Sequence, residues 1–126
     1  MLPAEINFEK MNGLVPVIAQ DWKTNEILML AFADREALEK TLASGFAHYY
    51  SRSRKKLWKK GGTSGHIQEI TEIRIDCDND AIIYKVKQAG GACHTGNYSC
   101  FYRIMDRKGL KDQGKRIFDP DEIYKS

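Results

Sequence analysis

The residues best suited to chemistry are gathered in one short part of the sequence. They are every cysteine of the chain and three aspartates at alternate positions: Cys77, Cys93, Cys100, Asp76, Asp78 and Asp80. Thiolates are soft ligands that suit zinc, whereas grouped carboxylates suit a hard cation such as magnesium. The pattern therefore predicts two metal sites with different ligand chemistry.

The three cysteines match the number of protein ligands in a catalytic zinc site. Zinc commonly takes four ligands, and a site with three protein ligands keeps the fourth position for water. His94 directly follows Cys93, and neighbours on an extended chain point in opposite directions, so we expect His94 to be a nearby base. Two alternatives stay open: a closed structural Cys3His site, and a Cys77 that is only a small buried apolar residue.

Asp76, Asp78 and Asp80 recur at every second position, so on an extended strand they share one face, about 6.5 Å apart. That spacing lets the carboxylates converge on a hard cation, while Cys77 faces the other way. If both groups bind metal, the ions lie on opposite sides of one strand, or a partner subunit completes one site. This weakly favours a homodimer. The alternative is a solvated acidic turn without metal.

A stretch between positions 51 and 66 is rich in cations, hydroxyls and glycine, the donors that bind phosphate. Its candidate substrate-binding residues are Arg52, Arg54, Trp58, Lys60, Thr63, Ser64 and His66. Trp58 offers a flat face on which a base can stack, and positions 61–65 predict a loop. A solvated basic face is the alternative for Lys55 and Lys56.

Short strands and one helix must position these groups. Strand-like segments cover residues 14–19, 27–32, 46–51, 67–75, 81–87 and 98–105. The first two are separated by a polar bridge of turn composition and predict a hairpin. Residues 34–44 predict a short helix, with Asp34 as the N-cap and Gly45 just beyond the end.

The composition is that of one folded domain, with 126 residues, 42% of them apolar and 29% charged. No apolar stretch approaches the roughly 20 residues that cross a bilayer, and the N-terminus lacks a signal-peptide pattern. We therefore expect a cytoplasmic protein without a membrane partner. The net charge of +3 is too small to require a nucleic-acid partner. We expect one domain over residues 1–126, with its core at about 14–105 and a polar tail at 106–126.

Taken together, the motifs resemble those of the phosphoribosyl-AMP cyclohydrolase family. They lie at residues 50–54, 57–61, 63–66, 76–80, 92–96 and 99–101, and the resemblance spans about 14–103. It implies hydrolysis of the bond between N1 and C6 of the adenine ring in 1-(5-phosphoribosyl)-AMP, the third step of histidine biosynthesis. It also implies zinc and magnesium as cofactors.

The resemblance assigns ligands by position. It implies that Cys93 and Cys100 of one subunit hold zinc together with Cys77 of the dimer partner. It implies that Asp76, Asp78 and Asp80 hold magnesium. The fold it implies is mainly β (α+β), with barrel-like antiparallel sheets, one short α-helix and an intertwined homodimer. A fused pyrophosphohydrolase domain, which some family members carry, is not expected here.

One residue departs from the family pattern, because Gly62 stands where the family usually has a glutamate.

The motifs and the resemblance together predict a hydrolase in which zinc activates a water molecule, His94 helps to remove its proton, and the water attacks C6. Magnesium and the basic stretch would position the phosphoribosyl groups. The alternative is a zinc-stabilised module that binds RNA or nucleotides without catalysis.

Overall fold

The computed structural model describes residues 2–114 and 116–117. The described elements are β1 Val15–Asp21, β2 Ile27–Ala33, α1 Arg35–Ser44, β3 His48–Ser51, β4 Lys56–Lys59, β5 Gln68–Ile75, β6 Ile82–Gln88, β7 Arg103–Asp106 and β8 Gly109–Asp112. The predicted class, mainly β with one short α-helix, is confirmed. Part of the predicted tail, at residue 115 and residues 118–126, lies outside the described part of the chain.

The main sheet has the strand order β2-β1-β6-β5. Its pairs are antiparallel except for β1 and β6, which run parallel. In β1 every second residue is buried, from Val15 to Asp21, and β6 buries Ile82, Tyr84 and Val86 in the same alternation. This period-two pattern places one face of the sheet against the core. The barrel-like description holds only loosely, because β2 and β5 leave the described sheet open at its edges.

The helix α1 has the caps that the sequence predicts. The Asp34 side chain accepts a hydrogen bond of 2.8 Å from the Ala37 amide, which satisfies one of the free N–H groups at the start of a helix. Gly45 ends the helix at a φ of 80°, and its amide donates to the Thr41 carbonyl at 2.9 Å. Buried Ala37, Leu38 and Thr41 face the core, and α1 contacts β2, β3 and β4.

The predicted hairpin of β1 and β2 is confirmed, but the predicted strand at 98–105 is wrong in its first part. Only Arg103–Asp106 is a strand there, because residues before it hydrogen-bond to β2 in a loop. Two strands were not predicted. β4 lies inside the basic stretch, and β8 lies inside the tail.

β7 and β8 form a hairpin that packs poorly against the rest of the described chain. None of its strand residues is buried, and Met105 is 81% exposed while Leu110 is 61% exposed. Phe101, just before this hairpin, is also 61% exposed. Within the described residues, no helix has the length and apolar character needed to span a membrane.

Candidate metal sites

The three aspartates lie in the loop that joins β5 to β6, and we call residues 76–80 the aspartate turn. One carboxylate oxygen from each of Asp76, Asp78 and Asp80 lies within 4.8 Å of the others. The turn is closed by Asp76, whose Oδ1 accepts from the amides of Asp80 at 3.0 Å and Ala81 at 3.2 Å. Asn79 has a φ of 61°, a left-handed conformation that asparagine tolerates. Three converging carboxylates fit a hard cation.

The extended strand assumed for this segment is wrong, because β5 ends at Ile75 and the chain turns back at once. The aspartates meet because the turn folds over itself, rather than because alternate residues share a strand face. The inference of a dimer from alternation along one strand therefore loses its premise. The assignment of magnesium to these carboxylates stays a prediction.

The side chain of Lys10, which sequence reasoning missed, contacts the aspartate turn. Lys10 Nζ donates to Asp80 Oδ2 at 2.7 Å and to Asp78 Oδ2 at 3.1 Å. These hydrogen bonds raise the pKa of Lys10 and lower the pKa of Asp78, whereas desolvation raises the pKa of Asp76. Since Lys10 lies 68 residues before Asp78, no local pattern could have found it.

Cys93 and Cys100 lie in a compact loop, and we call residues 92–100 the thiol loop. The Ala92 amide donates to the Tyr98 carbonyl at 2.9 Å, and the Cys93 amide donates to the Asn97 carbonyl at 3.2 Å. These bonds fold the loop so that the two thiols interact with each other. Cys93 is 6% exposed, and Cys100 is partly buried. The loop thus supplies two soft ligands side by side.

Three contacts fasten the thiol loop to the main sheet. The Cys100 amide donates to the Leu28 carbonyl of β2 at 2.7 Å. The Ser99 hydroxyl donates to the Ile27 carbonyl of the same strand at 2.6 Å. The Tyr98 hydroxyl donates to the Asp21 carboxylate at the end of β1. Burial alone would raise the pKa of Asp21, but hydrogen bonds from Tyr98 and from backbone amides outweigh it, so the net pKa is lowered. The sequence reasoning missed this contact also.

Burial and the neighbouring Cys93 raise the pKa of the Cys100 thiol to about 12. The nearby cation Lys60 opposes this effect, and its Nζ donates to the Ala92 carbonyl at 2.6 Å. Burial lowers the pKa of Lys60, and the two thiols partly offset the change. Burial disfavours the thiolate form of Cys100 unless a cation stabilises it, and zinc is a metal whose ligand preference fits thiolates.

The described part of one chain does not bring all three cysteines together. Cys77 is exposed on the aspartate turn. Among the described residues, the three aspartates are the only cluster of three or more histidine, cysteine or acidic groups that could hold an ion. His94 is exposed, although it directly follows the buried Cys93, so its imidazole can reach solvent. The ligand and base roles of these residues stay predictions.

Three of the predicted substrate-binding residues lie in β4 or in the turn that precedes it. Arg52 and Arg54 lie in the turn between β3 and β4, with the Arg52 guanidinium 4.0 Å above the Phe32 ring. Trp58 is half-buried in β4, and its ring centroid lies 5.0 Å from that of Tyr49. These placements leave the phosphate and stacking roles as predictions.

The loop predicted at positions 61–65 is confirmed. Within it Thr63 is exposed, and Ser64 Oγ accepts from the His66 amide at 3.2 Å. Gly61 requires glycine, because a Cβ there would lie 2.4 Å from the Ile67 nitrogen. Gly62 is less restricted, since a Cβ would lie 3.3 Å from the Lys59 carbonyl oxygen. This contact is tight but does not require glycine, so it does not explain why the family's glutamate is absent here.

Comparison with known proteins identifies close relatives. A model of the phosphoribosyl-AMP cyclohydrolase family matches residues 29–102, which include the aspartate turn and the thiol loop. The phosphoribosyl-AMP cyclohydrolase of Methanothrix thermoacetophila is 62% identical over 112 residues, which cover 89% of this chain and 90% of that protein. That of Archaeoglobus fulgidus is 64% identical over 102 residues, or 81% of this chain and 94% of that protein. The Methanospirillum hungatei protein of the same name is 58% identical over 120 residues, with 95% and 88% covered.

Proposed function

The chain belongs to the phosphoribosyl-AMP cyclohydrolase family, and on that premise we propose that it opens the adenine ring of 1-(5-phosphoribosyl)-AMP by hydrolysis between N1 and C6. This reaction is the third step of histidine biosynthesis. The observation that carries the proposal is the pair of buried Cys93 and partly buried Cys100, in a loop that lies wholly inside the family match.

The proposed zinc ligands are Cys93 and Cys100 of one subunit and the partner subunit's Cys77. Two facts support this set. Cys93 and Cys100 are neighbours in the thiol loop, where burial disfavours the Cys100 thiolate without a cation. Cys77 is exposed on a turn, where a second copy can reach it. When bound, zinc would act as a Lewis acid that lowers the pKa of a water molecule and holds it for attack on C6.

The exposed apolar residues next to the thiol loop support a homodimer. Phe101 directly follows Cys100, and Met105 and Leu110 lie on the nearby hairpin of β7 and β8. Met105 and Leu110 are paired across this hairpin, and exposed apolar groups that lie together mark surfaces at which proteins associate. A second copy is the partner that fits, because it would cover these residues and bring a third thiolate to the pair.

The side chains around the thiol pair have separate roles in the proposed reaction. His94 would take the proton from the attacking water, because an imidazole can accept a proton near neutral pH. Lys60 would offset the negative charge that three thiolates leave around a divalent ion. Its hydrogen bond to the Ala92 carbonyl keeps its ammonium next to Cys93.

The substrate itself lowers the barrier in this proposal, because the phosphoribosyl group on N1 makes the ring cationic and open to attack. The aspartate turn would hold magnesium, which binds phosphate oxygens as well as carboxylates. Arg52, Arg54, Thr63 and Ser64 are candidate phosphate contacts, with Trp58 and His66 near the base. Holding both phosphoribosyl groups would fix the position of C6 relative to the water.

Mixing the zinc- and magnesium-loaded protein with phosphoribosyl-AMP tests the proposal directly. The ultraviolet absorption should change as the purine ring opens, and an unchanged spectrum would reject the activity. The variant His94→Ala should keep its zinc and lose about 10²- to 10⁴-fold in turnover, the usual range for a general base. Full turnover in that variant would remove His94 from the mechanism while leaving the activity in place.

A further inference from the structure

The ammonium of Lys10 already occupies part of the aspartate turn. It contacts Asp80 at 2.7 Å and Asp78 at 3.1 Å, so two of the three converging carboxylates have a cation beside them. The third carboxylate, that of Asp76, accepts hydrogen bonds from the turn's own amides. Protein groups thus contact all three carboxylates, although only one of these groups carries a positive charge.

The backbone of Lys10 is held in place. Lys10 lies in a turn that is closed by a 2.7 Å hydrogen bond from the Gly13 amide to the Phe8 carbonyl. Phe8 and Ile6 are buried in the core, which anchors this turn to the body of the protein. The ammonium therefore reaches the carboxylates from a fixed base, rather than from a free terminus.

A second set of contacts connects the same segment to the aspartate turn. The Asn7 amide donates to the Asn79 carbonyl at 2.7 Å, and Asn79 Nδ2 donates to the Glu5 carbonyl at 3.0 Å. Because Asn79 lies between Asp78 and Asp80, the N-terminal segment holds the turn on the side where Lys10 approaches. The lysine and the turn are positioned as a unit.

We propose that Lys10 is an internal competitor for the divalent cation at the aspartate turn, and that its ammonium leaves Asp78 and Asp80 when the cation binds. The inference rests on the proposed magnesium site and adds the residue that sets its affinity. Magnesium binds carboxylate oxygens directly, so it would draw on the same two carboxylates that Lys10 contacts. A dication and an ammonium on shared carboxylates repel each other, so one excludes the other.

Removing the ammonium should therefore strengthen cation binding. Lys10→Met keeps much of the side-chain length and removes the charge. Because the ion pairs are exposed and screened by solvent, we expect a moderate effect, with magnesium binding about tenfold tighter. Lys10→Arg keeps the positive charge and should bind magnesium within about threefold of the wild type.

Lys23→Met is the matched control for the loss of one positive charge. Lys23 follows β1, and β1 runs parallel to β6 with Val17 opposite Ile82 and Asp21 opposite Val86. Lys23 therefore lies beyond the far end of the strand pair, at least about 13 Å from the aspartate turn, where salt screens its charge. Its removal should change magnesium affinity by less than about twofold.

The test is calorimetric titration of the full-length wild type and these variants with magnesium chloride alone, at constant ionic strength. Tighter binding by Lys10→Met, with Lys10→Arg and Lys23→Met near the wild type, is the expected result. Equal affinity in Lys10→Met and the wild type would overturn the competition and leave the magnesium site standing. Heat of binding in none of the proteins would overturn both the competition and the magnesium part of the proposed function, without bearing on zinc.

Discussion

The aspartate turn and the thiol loop differ in how much of a metal site one chain can build. The turn brings three carboxylates to within 4.8 Å of one another over five consecutive residues. The thiol loop brings together two thiols, while Cys77 stays exposed on the other motif. Ligands that are close in sequence can converge through a local turn. A site whose third ligand lies on a distant exposed turn depends on how whole chains associate.

The two regions also differ in solvent exposure, and this decides how strongly each should respond to mutation. The carboxylates of the aspartate turn are mostly exposed, so their charges are solvated and screened. Cys93 is buried, and burial holds the pKa of the neighbouring Cys100 near 12. When a metal is removed from buried ligands, the protein loses more folding free energy than when it is removed from exposed ones. The thiol loop should therefore show the larger effects.

The largest effect is expected from Cys93→Ser or Cys100→Ser. A hydroxyl is a poor substitute for a thiolate on zinc, so zinc content should fall from about one per subunit to near zero, and turnover should fall at least about a thousandfold. Magnesium affinity should not change. Metal analysis by mass spectrometry and the ultraviolet assay measure both results. The matched variant Asp78→Asn should retain its zinc, and zinc retained in both cysteine variants would contradict the ligand assignment.

The next effect tests whether the zinc site is shared between subunits. Cys77→Ser and Cys93→Ser should each be inactive alone. When the two variants are mixed and allowed to exchange subunits, half of the dimers become heterodimers, and each has one site with all three cysteines. Activity should then recover to about a quarter of the wild-type value.

Titrating one inactive variant into the other and following activity against mixing ratio is the measurement. A site built within one chain predicts no recovery at any ratio, since each chain carries a defect. Mixing Cys93→Ser with Cys100→Ser is the control, because both changes then fall on the same half of the site and no intact site can form. Recovery in that control would contradict the shared arrangement.

The parts of the structure that depend on neighbouring residues could be predicted from local sequence. The helix α1 has a capping side chain at Asp34 and a terminating glycine at Gly45, and both act within a few residues. The β1–β2 hairpin follows from two apolar runs around a polar turn. The aspartates meet as predicted, although through a hairpin turn rather than a strand, because alternation does not distinguish an extended segment from one that folds back.

The contacts that depend on distant residues could not be predicted in the same way. Lys10 reaches the aspartate turn, and Asp21 reaches Tyr98, across 68 and 77 residues of sequence. Lys60 was predicted from composition as a phosphate contact, yet its ammonium donates to a carbonyl of the thiol loop. Such contacts depend on how segments far apart in the chain pack together. No spacing rule within one motif reports them.

Lys60→Met should separate the two regions by charge. Without its ammonium, a zinc ion with three thiolates keeps an uncompensated negative charge in a partly buried site, so zinc affinity should fall about tenfold. Magnesium affinity at the aspartate turn should not change. Competition with a coloured chelator measures the zinc affinity.

Lys59→Met is the matched control for this change. Lys59 is the neighbouring residue on β4, but its ammonium lies over the Phe46 ring at 4.9 Å. The same loss of charge at this position should leave zinc affinity within about twofold of the wild type. An equal loss in both variants would assign the effect to net charge and contradict the role of Lys60.

The smallest effect on the metal sites is expected from Tyr98→Phe, which removes the hydroxyl that donates to Asp21. A hydrogen bond to a charged group contributes about 1.5–3 kcal/mol, so the free energy of unfolding of the metal-free protein should fall by roughly that amount at pH 7. Magnesium affinity should stay the same, because the contact lies on the thiol loop. Urea unfolding at fixed protein concentration measures the change, with Tyr50→Phe as a control that removes a hydroxyl from β3.

The pH dependence of this last effect identifies the Asp21 carboxylate as its cause. The folded-state pKa of Asp21 is lowered, so its stabilising contribution is present above the unfolded pKa of about 3.9 and is lost as pH falls through the lower folded value. The difference between the wild type and Tyr98→Phe should therefore be constant near neutral pH and shrink below about pH 4. A difference that stayed constant into strong acid would mean that the variant acts through packing of the ring.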